Sequence, residues 1–372
     1  MKKRMNLLLA ALLGASFVLG GCGNPSSAPK ASETQAAEVQ TTEAASAEAS
    51  PEASSTADSS AAQASEPEAG SADSSMVVRV GSLKGPTSMG LVQLMDAAAN
   101  GEAALSYEFT MAGKADELVG KIATGDLDIA LVPANVASVL YSKTKGQVAV
   151  IDINTLGVLY VVASDDSIAS MADLKGKTIY MTGKGTTPEY VVNYLLAENG
   201  LTGDDVDLQF KSEATEVASI LKEDSSAIGV LPQPFATAAC IQNDALKTVL
   251  DLTEQWNLLN AESKSQLVTG VTIARSGFLA ENEEAVKQFL EDHASSAAYT
   301  SEHPEEAAQL IADQGIVEKA PIAQKALPFC NIVCITGQEM KDALSGYLEV
   351  LNSQDAASIG GTMPGDDFYY MP

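Results

Sequence analysis

Histidine and cysteine are nearly absent from this chain of 372 residues, which has two of the first and four of the second. So few cysteines exclude a disulfide scaffold, which small secreted domains build from a dense set of bridges. Zinc is disfavoured as well, because His293 and His303 lie in helical stretches without the convergent spacing that metal prefers. No metal, cofactor or catalytic set is expected. Basic residues are also short, 22 Lys and Arg against 49 Asp and Glu, for a formal net charge of −27. Nucleic-acid binding depends on clustered basic side chains that neutralise phosphates, so no nucleic-acid partner is expected. Long apolar runs are missing too. The longest, Leu7 to Leu19, falls short of the roughly 20 residues a spanning helix needs.

That run follows Lys2, Lys3 and Arg4 and precedes Gly20, Gly21 and Cys22, the layout of an export signal over residues 1–21. Leu19-Gly20-Gly21-Cys22 resembles the bacterial lipobox. The resemblance implies diacylation of Cys22, which would become the mature N-terminus and anchor an extracytoplasmic lipoprotein to the cell membrane. Residues 22–75 are rich in Ala, Ser, Thr, Glu and Pro, with Val39 the only sizeable apolar residue beyond Cys22. Such a segment cannot offset its ordering entropy by burial, so it reads as a disordered tether with a span of roughly 40 Å.

From Val77 onward strands and helices alternate. VVRVG, YEFTMAG and DIALVPA read as strands, each followed by a helix: SMGLVQLMDAAA, ADELVGKIATG and NVASVLYSK. After one long apolar strand, VAVIDINTLGVLYVVAS, the order starts again with KGKTIYM, PEYVVNYLLAENG, VDLQFK, EVASILKED and AIGVLPQPF. Alternation of this kind predicts an α/β fold with mostly parallel sheets flanked by helices.

The two halves echo each other. KGPTSMG, Lys84 to Gly90, aligns with KGTTPEY, Lys184 to Tyr190, at an offset of 100 residues. DIALVPANVA, Asp128 to Ala137, aligns with AIGVLPQPFA, Ala227 to Ala236, at an offset of 99. Either echo alone is weak, because glycine turns are common. Together and in the same order they predict two lobes of related topology.

Each KGxT turn would join a first strand to a first helix and leave backbone N–H groups at the helix start, a seat for an anion or polar acceptor. Ligands of open α/β sheets bind beyond the carboxyl ends of the strands, where these turns and the loops after Pro133 and Pro232 emerge. The candidate ligand contacts are therefore Lys84, Thr87, Ser88, Thr186 and Thr187 in the turns, Asn135 and Gln233 after the prolines, and Phe235. For Lys84 and Lys184 the alternative is a solvated turn lysine, for the hydroxyls a helix cap, and for Phe235 or Tyr160 a packed aromatic.

The last third reads as helical. Val286, Phe289, Leu290 and His293 fall on one face, as do Met340, Leu344, Tyr347, Leu348 and Leu351 on another, so both are core faces and His293 is a packed residue. The tail GDDFYYMP is expected to dock through Phe368, Tyr369 and Tyr370. Cys330 and Cys334 either pair, if the backbone curls between them, or stand as free packed thiols, the reading preferred here.

The lipobox, SMADLKGKTIYMTGKGTTPEY, GDLDIALVP, AIGVLPQPF and VTGVTIARSGFLAENEEAVKQFLE resemble the substrate-binding lipoproteins of ABC importers that serve nitrate, alkanesulfonates, taurine and thiamine-pyrimidine precursors. The resemblance covers Met76 to Pro372. It implies a two-lobe type II periplasmic-binding-protein fold: residues 76–163 begin lobe 1, 164–266 form lobe 2, and 267–372 return to lobe 1. Crossings are expected near Tyr160–Ala163 and Leu267–Val271. It further implies a monomeric solute-binding protein that captures a small molecule and delivers it to an ABC permease.

Two other classes stay open. One is an enzyme on the same fold, like the thiamine-pyrimidine precursor synthase or a dehydratase, although the first lobe lacks the histidine and cysteine-rich cluster of that synthase and no dehydratase acid-base set is found. The other is a ligand-sensing surface lipoprotein. Without Arg in either KGxT turn, the ligand is expected to be a small oxyanion or a pyrimidine-like compound.

Overall fold

A computed structural model describes residues 76–262 and 265–372; the export signal, Cys22 and the tether lie outside the described residues. Among the described residues eleven strands form two sheets. The first contains β1 (Val77–Leu83), β2 (Ser106–Ala112), β3 (Ile129–Pro133), β4 (Val148–Thr155), β10 (Gly270–Arg275) and β11 (Ile332–Ile335), in the order β11-β4-β10-β3-β1-β2. The second contains β5 (Leu159–Ala163), β6 (Thr178–Met181), β7 (Asp207–Phe210), β8 (Ile228–Pro232) and β9 (Lys247–Asp251), in the order β7-β6-β8-β5-β9.

These orders share one five-strand pattern, to which the first sheet adds β11 at its edge. In each sheet a parallel triplet, β2-β1-β3 or β7-β6-β8, is followed by one antiparallel strand and then by a strand that again runs with the triplet. The antiparallel strand in each case follows a crossing between the sheets. β5 enters the second sheet directly after β4, and β10 returns to the first after the helix Leu252–Leu259. The apolar run 148–163 is therefore two strands in two sheets. Leu159–Ala163 pairs with β8 and β9, and the crossing lies at Leu156–Val158, ahead of the Tyr160–Ala163 expected from sequence.

Burial follows position in the sheet. The central strands β4 and β5 are buried along their whole length, whereas edge strands β2 and β7 are partly exposed. Along β3 the side chains divide by the period of two: Ile129 and Leu131 pack with Phe289 on one face, and Ala130 and Val132 pack toward Leu118, Ile122 and Met340 on the other. Helix Ala115–Thr124 ends on Gly125 at φ 82, where a left-handed residue costs glycine little.

Backbone hydrogen bonds hold the two crossings in place. Thr269 N–H donates to Thr155 O at 3.0 Å, and Gln233 N–H donates to Val158 O at 3.0 Å. An aromatic row bridges the lobes: Tyr194 lies 4.8 Å from Trp256, which lies 5.5 Å from Tyr347 on helix Gly337–Gln354. The tail docks as expected, with Phe368 fully buried and Tyr370 N–H donating to Val150 O at 2.8 Å. Cys240, Cys330 and Cys334 are free thiols. Among the described residues no helix is long and apolar enough to cross a membrane.

Candidate functional site

The carboxyl ends of both parallel triplets open onto one cleft of about 1240 Å³. Both KGxT turns line it, as do Pro133 and Pro232 at the ends of β3 and β8. The turns are built alike. Thr87 Oγ1 donates to Leu83 O at 2.8 Å, and Thr186 Oγ1 donates to Gly183 O at 2.8 Å, so each hydroxyl closes its turn on the residue before the lysine.

Of the residues expected from sequence, Lys84, Thr87, Asn135, Thr186, Thr187 and Phe235 line the cleft. Ser88 does not belong to this lining: it is fully buried, with its hydroxyl 2.7 Å from Ser82 Oγ and donating to Leu83 O. Gln233 is turned inward as well, and its Oε1 accepts the Thr237 N–H at 3.2 Å. Tyr160 is buried with its hydroxyl on Phe329 O at 3.0 Å, so it offers the cleft no ring face.

Asn135 and Thr187 are spoken for by one another. Thr187 Oγ1 donates to Asn135 Oδ1 at 3.3 Å, and Asn135 Nδ2 donates to Gly185 O at 3.4 Å and Ser358 O at 3.2 Å. Both side chains are buried, so they join the lobes at the base of the cleft. The amide seat expected at the second turn is also occupied, because Gly185 N–H donates to the Glu189 carboxylate one helical turn on.

Electrostatics separate the cleft from the scaffold. Asp128, just before β3, is buried; burial pushes its carboxyl up, but hydrogen bonds from Arg79 and Arg275 outweigh this and hold it below the usual range. Both described arginines are thus engaged away from the cleft lining. The cleft cations are lysines, and Lys184 Nζ and Lys211 Nζ lie over the rings of Phe210 and Tyr180 at 5.6 and 5.3 Å.

A second polar grouping was not legible in the sequence. Asp152, His293 and Cys334 present ligand-type atoms within 4.8 Å of one another. His293 Nδ1 is 3.0 Å from Asp152 Oδ2, and Thr272 donates to Asp152 Oδ1 at 2.7 Å, so both carboxylate oxygens are engaged. Asp152 and His293 are fully buried and outside the cleft lining.

Known proteins share this architecture. A solved structure described as an ABC transporter from Parabacteroides distasonis aligns with a TM-score of 0.66 at 21% identity, covering 79% of this chain and 98% of that one. The periplasmic aliphatic sulphonate binding protein of Escherichia coli aligns with a TM-score of 0.64 at 14% identity, covering 80% of this chain and 92% of that one. A Brucella abortus protein named "Putative binding protein" is 24% identical over 208 residues, 56% of this chain; the match spans 61% of that relative's length. These likenesses fix the fold as that of periplasmic binding proteins. The NMT1/THI5-like family model matches residues 119–307, just over half of the sequence, from within the first lobe, across the whole second sheet and into the returning helices. The chain belongs to the NMT1/THI5-like family.

Proposed function

We propose that this protein is an extracytoplasmic solute-binding component of an ABC importer, acting as a monomer tethered through lipid on Cys22. The observation that carries the reading is the cleft, lined from both lobes by repeated strand-turn-helix ends and floored by two adjacent crossings. A solute that touches both lobes binds the closed arrangement better and shifts the population toward it. The closed form would then dock on a permease. The solved relatives named as an ABC transporter and a sulphonate binding protein support this reading.

Binding without turnover fits the groups that line the cleft. Asp152 and His293 are sealed in the core, so neither can reach a bound substrate as a base. The test is a thermal-shift screen of the full-length chain against oxyanions, sulfonates, pyrimidines, carboxylates and amino acids, followed by recovery of each hit. A compound at about 100 times its Kd should stabilise the fold by about 2.7 kcal/mol and be recovered unchanged. Recovery of an altered compound would make the protein an enzyme. Stabilisation by no compound of the panel would count against solute capture.

A further inference from the structure

The cleft has the opposite charge character to the chain. Five lysines line it, Lys84, Lys114 and Lys143 from the first lobe and Lys184 and Lys211 from the second, against Asp116, Glu213 and Glu318. In a chain with 49 acidic residues and 22 basic ones, carboxylate partners are plentiful. Lys175, Lys177, Lys247, Lys287 and Lys341, all outside the cleft, have them. Among the described residues, none of the five cleft lysines has a carboxylate within ion-pair distance. A concave surface lined by unpaired cations focuses its field on whatever enters.

The described arginines and the Gly185 amide are already in use. Arg79 forks onto Asp128, Arg275 donates to Asp128 and to Leu127 O, and the Gly185 amide at the second turn holds Glu189. An anionic group at the second lobe therefore meets ammonium, which acts as a point charge without the planar fork of arginine. The lysines stand on both sides of a space of about 1240 Å³, far more than a lone oxyanion fills, and Val136, Leu159 and Phe235 give it apolar walls.

From this arrangement we infer that the ligand is an organic molecule with an apolar or aromatic body and an anionic group at each end, one held by the lysines of each lobe. The inference rests on the solute-binding reading and names its substrate class. Bridging anions explain how a ligand draws together two faces of like charge: unliganded, the two lysine groups repel, and a dianion between them turns repulsion into attraction.

Calorimetric titration of the full-length chain tests this with terephthalate and biphenyl dicarboxylate as dianions, benzoate as monoanion, terephthalamide as the neutral analogue, and sulfate as an anion without a body. At least one dianion should bind about tenfold more tightly than benzoate, with terephthalamide and sulfate weaker still. Raising ionic strength should weaken it. Lys84→Gln and Lys184→Gln should each weaken the dianion about fivefold or more, while Lys222→Gln, on an exposed lysine outside the cleft, should not. Equal binding of benzoate or terephthalamide, or cleft variants equal to wild type, would overturn the dianion class and leave solute capture standing. Heat from none of these probes would also overturn the class, and the wider screen above would then decide whether any solute is captured.

Discussion

Thr187 Oγ1 donates to Asn135 Oδ1 across the base of the cleft, linking the start of helix Thr187–Glu198 in one lobe to the start of helix Ala134–Thr144, directly after β3, in the other. Asn135 spends its amide on Gly185 and on Ser358 in the C-terminal segment. A residue expected to touch ligand thus fastens three parts of the chain. Removing the donor in Thr187→Val should cost about 1 kcal/mol, and Asn135→Leu, which also leaves Ser358 O short of a partner, roughly 1–3 kcal/mol. Urea unfolding midpoints read both; an unchanged midpoint for Asn135→Leu would show that the junction contributes nothing.

Gly270 begins β10 at the return crossing, and a Cβ there would stand 2.5 Å from Asn154 Oδ1 and 2.8 Å from Thr87 Cγ2. Neither neighbour is the free end of a long side chain. Gly270→Ala should therefore destabilise by about 1–3 kcal/mol through overpacking. Because Thr87 lines the cleft, the same substitution should weaken ligand binding, which thermal shift and titration separate.

Asp128 gives the fold a pH dependence. Its folded value lies below the ordinary 3.8, so its contribution is full above that value and is lost as pH falls through the folded one. At neutral pH, Asp128→Asn should cost roughly 1.5–3 kcal/mol, the range for hydrogen bonds to charged groups. The gap between wild type and variant should narrow as pH drops below 3.8. Urea midpoints across that range check the sign; a gap that widens in acid would contradict it.

Cys330 is fully buried, and burial pushes its thiol up to about 12. Thiolate is the reactive form, so the native protein should resist alkylation at this position and react once unfolded. Mass-mapped labelling with iodoacetamide reads the site; rapid native labelling of Cys330 would show that helix Ala320–Ala326 and the turn after it open readily.

The sequence made the repeat legible and the partners of its residues illegible. The KGxT turns do join strand to helix in both lobes, because that signal is local: a strand, a glycine and a hydroxyl within a few positions. Alignment set Thr87 on Thr187, yet the hydroxyl that matches Thr87 in closing its turn is Thr186, while Thr187 faces Asn135. A difference of one position on a helix start decides between those roles. Ser88 and Gln233 neighbour the cleft residues along the chain, but the Ser88 hydroxyl is taken up by Ser82 and Leu83 and the Gln233 amide oxygen by the Thr237 N–H. The run 148–163 reads as one strand because two fully buried strands in tandem have no alternation to separate them. The Asp152–His293 contact spans 141 residues, which no local pattern records.

Closure of the lobes on a bound solute is directly measurable. Asp116 and Ser219 line the cleft from opposite lobes, and cysteines placed there in a Cys240→Ser background can carry a fluorescent pair. Energy transfer between them, followed while a stabilising solute is titrated, measures closure directly. Transfer should rise with the same midpoint as binding. A solute that binds in the cleft and stabilises the fold while the transfer stays constant would contradict closure on binding.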